Sequence, residues 1–489
     1  MFIGIDLGTS GVKVVALNYD NTIVAIASCA LGISNPHPLW SEQNPLDWWN
    51  ATEIALLQLK QTINFSKIEA IGLSGQMHGA TLLDKQGKAL RPAILWNDGR
   101  SFEQCLQLEQ AAKHSREITG NLMMPGFTAP KLKWVQQYEP EIFKQIAKVL
   151  LPKDYLRYRL SGDFASDMSD SAGTMWLDMN KRNWSNELLS ATGLTQEQMP
   201  KLFEGNQITG YLSAELSHKW QIPQVPIVAG GGDNAAGAVG VGIIKPQQAM
   251  LSLGTSGVYF AVSDGFLANP DSAVHSFCHA LPQTWHTMSV ILSAASCITW
   301  VANLIKETDI QQVLLTTEQQ HNPNSQVIFL PYLSGERTPH NDPNAKGVFW
   351  GMTSQTTPYD LVQAVLEGVA FALADGADAL HTTGLKPEEI TLIGGGTKSA
   401  YWRQMLADIL GITLSYREGS DVGPALGAAR LARLAISGYH TLDMVCTMPT
   451  LLQQHMPTQE KQFYYAEKQL RFRQLYQCLK GWHSRQNSC

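Results

Sequence analysis

The chain carries little charge. Asp, Glu, Lys and Arg make up only 16% of its 489 residues, and the formal balance is −6. A general nucleic-acid binder would present a basic face, and this balance supplies none. Nor is there a clean apolar run of membrane length. The most apolar window, Val225 to Ile244, is rich in Gly and contains Asp233, and a charge at mid-bilayer costs at least ~2.5–3.5 kcal/mol. The start, MFIGID, has no basic region and sets Asp6 inside its apolar stretch, so no secretory signal is expected. The seven cysteines form no CxxC pair, and an odd, scattered set indicates reduced thiols and a cytoplasmic location. His275, Cys278 and His279 invite a zinc reading, but zinc usually takes three or four protein ligands and no fourth lies nearby in sequence. A strand with polar side chains is the plainer account.

Two nucleotide motifs are also missing. No GxxxxGK[ST] occurs anywhere. Gly230-x-Gly232-x-x-Ala235 fits a degenerate dinucleotide fingerprint, but that reading needs an acidic residue about 20 positions on. Residues 248–256 contain none.

What is present is a repeat. Leu7-Gly8-Thr9-Ser10-Gly11-Val12 recurs as Leu253-Gly254-Thr255-Ser256-Gly257-Val258, and self-similarity at almost half the chain length indicates two related halves. Both copies are flanked by β-branched and aromatic runs: Phe2 to Ile5 and Val12 to Leu17 around the first, Ala249 to Ser252 and Val258 to Val262 around the second. Each unit therefore reads as strand, Gly/Thr/Ser turn, strand. A P-loop or dinucleotide turn would lead into a helix instead.

Further apolar runs at 70–73, 225–228 and 390–393 read as buried strands. Helical patterns cover Trp48 to Lys60, after Asn44-Pro45, and Asp360 to Leu380. The alternation gives an α/β class, and the length allows two or three domains. The boundary is expected near 245, giving domains 1–245 and 246–489. Basic and aromatic residues mix in Lys461 to Arg485, which reads as the solvated face of a packed terminal helix.

The glycine turns carry the chemistry. Their unencumbered N–H groups and the hydroxyls of Thr9, Ser10, Thr255 and Ser256 suit anionic oxygens. Two such turns, one per half, could hold a polyphosphate from both sides. Asp6 precedes the first turn, where the second has Ser252. A carboxylate beside phosphate needs a cation between them, and Mg²⁺ takes one or two carboxylates with water and phosphate oxygens. Asp6 is the candidate for that ion; Lys13, beyond the turn, is a candidate phosphate contact. Gly394-Gly395-Gly396 with Ser399 follows a strand and lets a flat base approach the backbone. Finally, a strand delivers Asp233-Asn234 to the start of a helix of small residues. Spacing alone leaves Asp233 either as a helix-start residue or as the base that takes a hydroxyl proton.

These pieces, in this order, resemble the FGGY family of carbohydrate kinases, on the actin/hexokinase/Hsp70 fold of two ribonuclease H-like domains with a cleft between them. The resemblance covers essentially the whole chain. It rests on Asp6-Leu7-Gly8-Thr9-Ser10, Gly232-Asp233-Asn234, Leu253-Gly254-Thr255-Ser256-Gly257, Gly394-Gly395-Gly396, and Gly347-x-Phe349-x-Gly351-Met352 leading to Glu367-Gly368. Segments at 74–79, 95–100, 151–156, 165–170 and 335–340 read like bacterial members that act on a pentulose.

The resemblance implies ATP and Mg²⁺, a sugar acceptor, most specifically D-xylulose, and a homodimer. It implies Asp233 as base, and Asp6 for metal and phosphate. Met77, His78, Asp233 and Asn234 would line the sugar; Trp96 is suited to stack on it. Gly8, Thr9, Ser10, Lys13, Gly254, Thr255, Ser256, Gly395, Gly396 and Ser399 would hold the nucleotide. Domain 1–245 would carry sugar and base, 246–489 the adenosine. Where related kinases often have Gly and Gln near the ATP ribose, 293–300 offers Ala295 and Thr299, which argues against ATP contacts from that helix. Other acceptors on the same machinery (ribulose, fuculose, rhamnulose, gluconate) stay open, as does an actin- or Hsp70-like ATPase.

Overall fold

The structure is a computed structural model that describes residues 1–418 and 423–483. Its first lobe is built on β1 (Phe2–Leu7), β2 (Gly11–Leu17), β3 (Ile23–Ala30), α1 (Pro45–Lys60), β4 (Ala70–Gly75), β5 (Ile208–Tyr211), β6 (Pro226–Gly232) and α2 (Asp233–Gly240). The second uses β7 (Ala249–Leu253), β8 (Gly257–Ser263), β9 (His275–Cys278), β10 (Trp285–Ile291), α3 (Ala295–Leu304), α4 (Pro358–His381), β11 (Glu389–Ile393), α5 (Ala400–Leu410), β12 (Thr413–Arg417), α6 (Gly423–Ser437), β13 (Leu451–His455) and α7 (Gln459–His483).

Each expected strand–turn–strand unit is an antiparallel hairpin. Leu7 pairs with Val12 in the first and Leu253 with Gly257 in the second. The repeat extends well beyond the hexapeptide. The first sheet runs β5-β6-β4-β1-β2-β3 and the second β9-β10-β8-β7-β11-β12-β13. In both, the strand before the turn lies parallel to the next core strand, β1 to β4 and β7 to β11. A further parallel neighbour follows, β6 or β12.

Local chemistry sets the helices. Asn44 accepts from Leu46 N with Pro45 in the first turn of α1. Thr357 and Asp360 form a reciprocal capping box on α4. Helix α7 spans most of the basic and aromatic terminal stretch; residues 484 and 485 lie outside the described residues.

The halves interlock at α2 and α6, the helices that follow β6 and β12. Helix α6 belongs to the second half in sequence but packs on β1 and β4 of the first sheet and against α2. Gly4 and Gly72 are cross-strand partners on that face. A Cβ there would lie 1.9 Å from Ala425 O and 2.0 Å from Ala428 O. At Gly427, a Cβ would lie 1.7 Å from Ala236 O. These glycines let backbones meet where side chains normally separate them.

One apolar cluster fills the first lobe around Ile5, Trp48 and Leu73, and another the second around Leu253, Val365 and Trp402. A third bridges them, with Met77 and Phe127 from the first half packed with Phe260, Phe277 and Met288 from the second.

Candidate active site

Two cavities lie against the second of the repeated turns. The smaller, 290 Å³, is lined by Met77, His78, Trp96, Phe127, Asp233 and Asn234 from the first half and by Ser252, Ser256, His275, Phe277 and Arg337 from the second. All five residues expected to meet a sugar therefore share one cavity. Its second-half wall was not anticipated as such. Arg337 lay inside a segment noted for its resemblance, and His275 was weighed only as a metal ligand. Neither had a sequence neighbour that pointed to the cavity.

Asp233 opens α2. Its Oδ1 accepts from Asn234 N at 2.7 Å and from Asn234 Nδ2 at 2.9 Å. The helix is capped at Gly232 with no side-chain cap bond, so the carboxylate is not spent on the cap. Burial raises its pKa to about 6, against those two hydrogen bonds.

A dry charge cluster anchors the strand that delivers it. Arg157 donates to Val228 O at 2.9 Å and also to Ala229 O. Lys153 Nζ lies 2.6 Å from Asp154 and 2.7 Å from Asp167, all fully buried. Asp167 accepts from Ser169 Oγ at 2.5 Å, and Ser169 Oγ accepts from Gly232 N at 3.0 Å. The buried segments 151–156 and 165–170 thus position the residue just before Asp233.

His78 sits at φ +70, uncommon for a residue with a Cβ. Its carbonyl accepts from Thr128 Oγ1 at 3.1 Å and from Lys131 Nζ at 3.0 Å, which hold this conformation. Burial pulls the Lys131 amine well below its ordinary range. The His78 ring nitrogen Nδ1 lies 2.7 Å from Gly173 O. Burial, with the Lys131 charge, lowers the ring pKa to about 3, so the imidazole is neutral. A carbonyl only accepts, so Nδ1 carries the proton and Nε2 is left as an acceptor.

The larger cavity, 1090 Å³, is lined by Gly254, Thr255, Gly395, Gly396, Lys398 and Ser399. Ala295, Thr299 and Trp300 of α3 also line it. The helix that residue type set apart from ATP contacts thus borders this cavity. The reason is local: Ala295 N donates to Gly254 O at 3.0 Å and Ser296 Oγ to Thr255 O at 2.7 Å, binding the start of α3 to the turn. At Gly396 a Cβ would meet Leu253 O and the Ala295 Cβ at 3.0 Å each, so only a bare backbone fits so close to both.

The two turns do not share one cavity wall. Gly254 and Thr255 line the larger cavity, while Gly8, Thr9, Ser10 and Lys13 line neither. Thr9 is committed within its own lobe. Its hydroxyl donates to Gln76 Oε1 at 3.1 Å and accepts from Trp96 Nε1 at 2.9 Å. Trp96 thereby links the first turn to the smaller cavity.

Asp6 pairs across the hairpin with Lys13. Burial and the neighbouring Asp233 charge raise its pKa to about 7, while Ser74 and Lys13 oppose the rise. Its Oδ1 is buried without a hydrogen-bond partner. An unpartnered buried carboxylate oxygen beside a second carboxylate fits a divalent cation completed by phosphate and water. Among the described residues no group of three or more His, Cys, Asp or Glu could hold a metal ion.

Two repeated lobes, interlocked by one helix from each and carrying two cavities on either side of the second turn, form the two-domain actin-like fold of the hexokinase type. The FGGY N-terminal domain matches residues 1–240 and the FGGY C-terminal domain residues 249–436, so the chain belongs to the FGGY family of carbohydrate kinases. It is an ATP-dependent sugar kinase.

It is 59% identical to a xylulose kinase of Escherichia coli (strain K12), over 98% of this chain and 99% of that one. It is 56% identical to a xylulose kinase of Klebsiella pneumoniae, over 98% and 99%. A crystal structure described as a xyloylose kinase, from Brucella ovis, superposes with a TM-score of 0.94 at 47% identity, covering 98% of this chain and 99% of that one.

Proposed function

We propose that this chain transfers the γ-phosphoryl group of ATP to the O5 hydroxyl of D-xylulose, giving ADP and D-xylulose 5-phosphate. The observation that carries the reading is the cavity that gathers Asp233, Asn234, Met77, His78 and Trp96 beside the second turn. The two xylulose kinases above 50% identity over nearly the full length support the acceptor. A coupled ADP-release assay over ketopentoses, ketohexoses, pentitols and gluconate is the test. D-xylulose is expected to give the highest kcat/KM; a higher value for any other acceptor overturns the assignment.

In this mechanism, the first domain (1–245) supplies the base and the sugar contacts, and the second (246–489) holds adenosine against Gly395, Gly396 and Ser399. The second also closes the sugar cavity through Arg337. His78 Nε2 and Asn234 Oδ1 accept sugar hydroxyls, and Trp96 stacks on the carbon chain. Asp233 accepts the O5 proton as the phosphoryl group leaves, and closure of the lobes excludes competing water. Gly8, Thr9, Ser10 and Lys13 reach the phosphates on that closure, opposite Gly254, Thr255 and Ser256. Asp6 would hold Mg²⁺, which when bound neutralises phosphate charge.

Two further outcomes are expected. Asp6→Asn raises the Mg²⁺ concentration for half-maximal rate by roughly 10–100-fold, read from a metal titration at saturating ATP. The Asp233 carboxyl must be ionised to accept a proton and its pKa in the free chain is raised to about 6, so kcat/KM for D-xylulose falls as pH drops through that value. A kcat/KM unchanged down to pH 4.5 removes Asp233 as the base.

No helix among the described residues is long and apolar enough to cross a membrane. A cytoplasmic location and a homodimer complete the proposal, to be read by cell fractionation and light scattering.

A further inference from the structure

The chemistry of the acceptor sets a requirement on the donors of the site. D-xylulose closes its ring by bonding O5 to C2, so the ring form has no O5 hydroxyl to phosphorylate. The open chain frees O5 and leaves a carbonyl at C2, an atom that can only accept hydrogen bonds. A cavity that takes the open chain must pair the hydroxyls with acceptors and this carbonyl oxygen with a donor.

The first-half wall is rich in acceptors and poor in free donors. Asp233 accepts. His78 is neutral and presents Nε2 as an acceptor, because Nδ1–H faces Gly173 O at 2.7 Å. Asn234 Nδ2 spends one of its two N–H groups on Asp233 Oδ1 at 2.9 Å, and Trp96 Nε1 its single N–H on Thr9 Oγ1 at 2.9 Å.

Arg337 supplies what is missing. It is the one cationic side chain among the residues lining the cavity. Its Nη1 donates to His275 Nε2 at 3.2 Å, which fixes the fork against β9. Among the described residues no ion pair joins it to a carboxylate, although the charge of the adjacent Glu336 acts on it. The adjacent Glu336 accepts instead from Leu292 N at 3.0 Å and from the Arg337 backbone N at 2.7 Å. The guanidinium therefore has further N–H groups and faces a cavity that offers no anion except Asp233, on the opposite lobe.

We propose that Arg337, steadied by His275, donates to the C2 carbonyl oxygen of the open-chain ketose and so selects acyclic ketoses over the corresponding polyols. The inference rests on the reading of the chain as a ketose kinase. It also accounts for a sugar cavity walled by both lobes: the carbonyl end is read by the second lobe while the base stands on the first.

The test is calorimetric, on the full chain, with D-xylulose and with xylitol, its C2-reduced counterpart. Arg337→Met is expected to weaken D-xylulose binding by roughly 10–100-fold, as for the loss of a charged hydrogen-bond donor, and xylitol binding much less. Arg337→Lys, which keeps the charge but not the fork, is expected to fall between. Thermal unfolding and ATP binding establish that each variant is folded; if Arg337→Met is not, Arg337→Lys carries the comparison.

Equal weakening of both ligands, or no weakening of D-xylulose, overturns the role of Arg337. The parent reading is judged separately: if the unmodified chain does not phosphorylate D-xylulose, the ketose assignment falls. If it does so while the variants keep the ketose-to-polyol ratio, only the Arg337 inference falls.

Discussion

Asp233→Ala lowers kcat by roughly 10²–10⁴-fold while ATP binding is retained. The expectation follows from where the carboxylate is and what it lacks. It stands in the sugar cavity, on the lobe opposite the glycines of the larger cavity. Its two internal hydrogen bonds both come from Asn234, so its other oxygen has no protein donor. Removing it leaves the larger cavity's wall intact, and the ATP dissociation constant is the control. Asp233→Asn is the sharper variant, since it keeps the volume and loses only the capacity to take a proton. The measurement is single-turnover phosphoryl transfer at saturating D-xylulose and ATP. A variant within threefold of the unmodified rate would remove Asp233 as the base and leave the helix-start reading.

The second large effect is structural. Gly427→Val is expected to destabilise the fold by about 3 kcal/mol or more, at the upper end for overpacking. The obstacle at Gly427 is the backbone carbonyl of Ala236, 1.7 Å from the added Cβ, not a side chain that could swing away. Relief requires α2 and α6 to separate, and α2 begins at Asp233. Turnover should therefore fall together with stability. Gly32→Ala serves as the control, because a Cβ there meets nothing within 4 Å. Chemical denaturation of the three proteins decides it; an unmoved Gly427→Val midpoint would show that the helices are not in this contact.

The repeat was legible because strand–turn–strand units are local. Alternating β-branched residues around Gly-Thr-Ser-Gly suffice to form a hairpin, and two identical hexapeptides imply two copies. Met77, His78, Trp96, Asp233 and Asn234 were named beforehand and do share a cavity, because each lies at or just beyond the end of a strand or in a loop typical of the family. That α3 borders the larger cavity was not legible from residue type, since its start is held there by backbone bonds to the turn. Thr9 turned out to be bonded to Gln76 and Trp96, partners 67 and 87 residues away that no spacing reveals.

By itself, then, the sequence determined the α/β class and the duplication, and it named five residues that share the smaller cavity, because these depend on short-range pattern. Tertiary structure alone decided that α6 crosses to the first sheet, that a buried Lys153–Asp167 pair lies behind the strand before Asp233, and that Arg337 and His275 line the smaller cavity. Those are contacts between segments far apart in the chain, and they form only when packing brings two backbones or two lobes together.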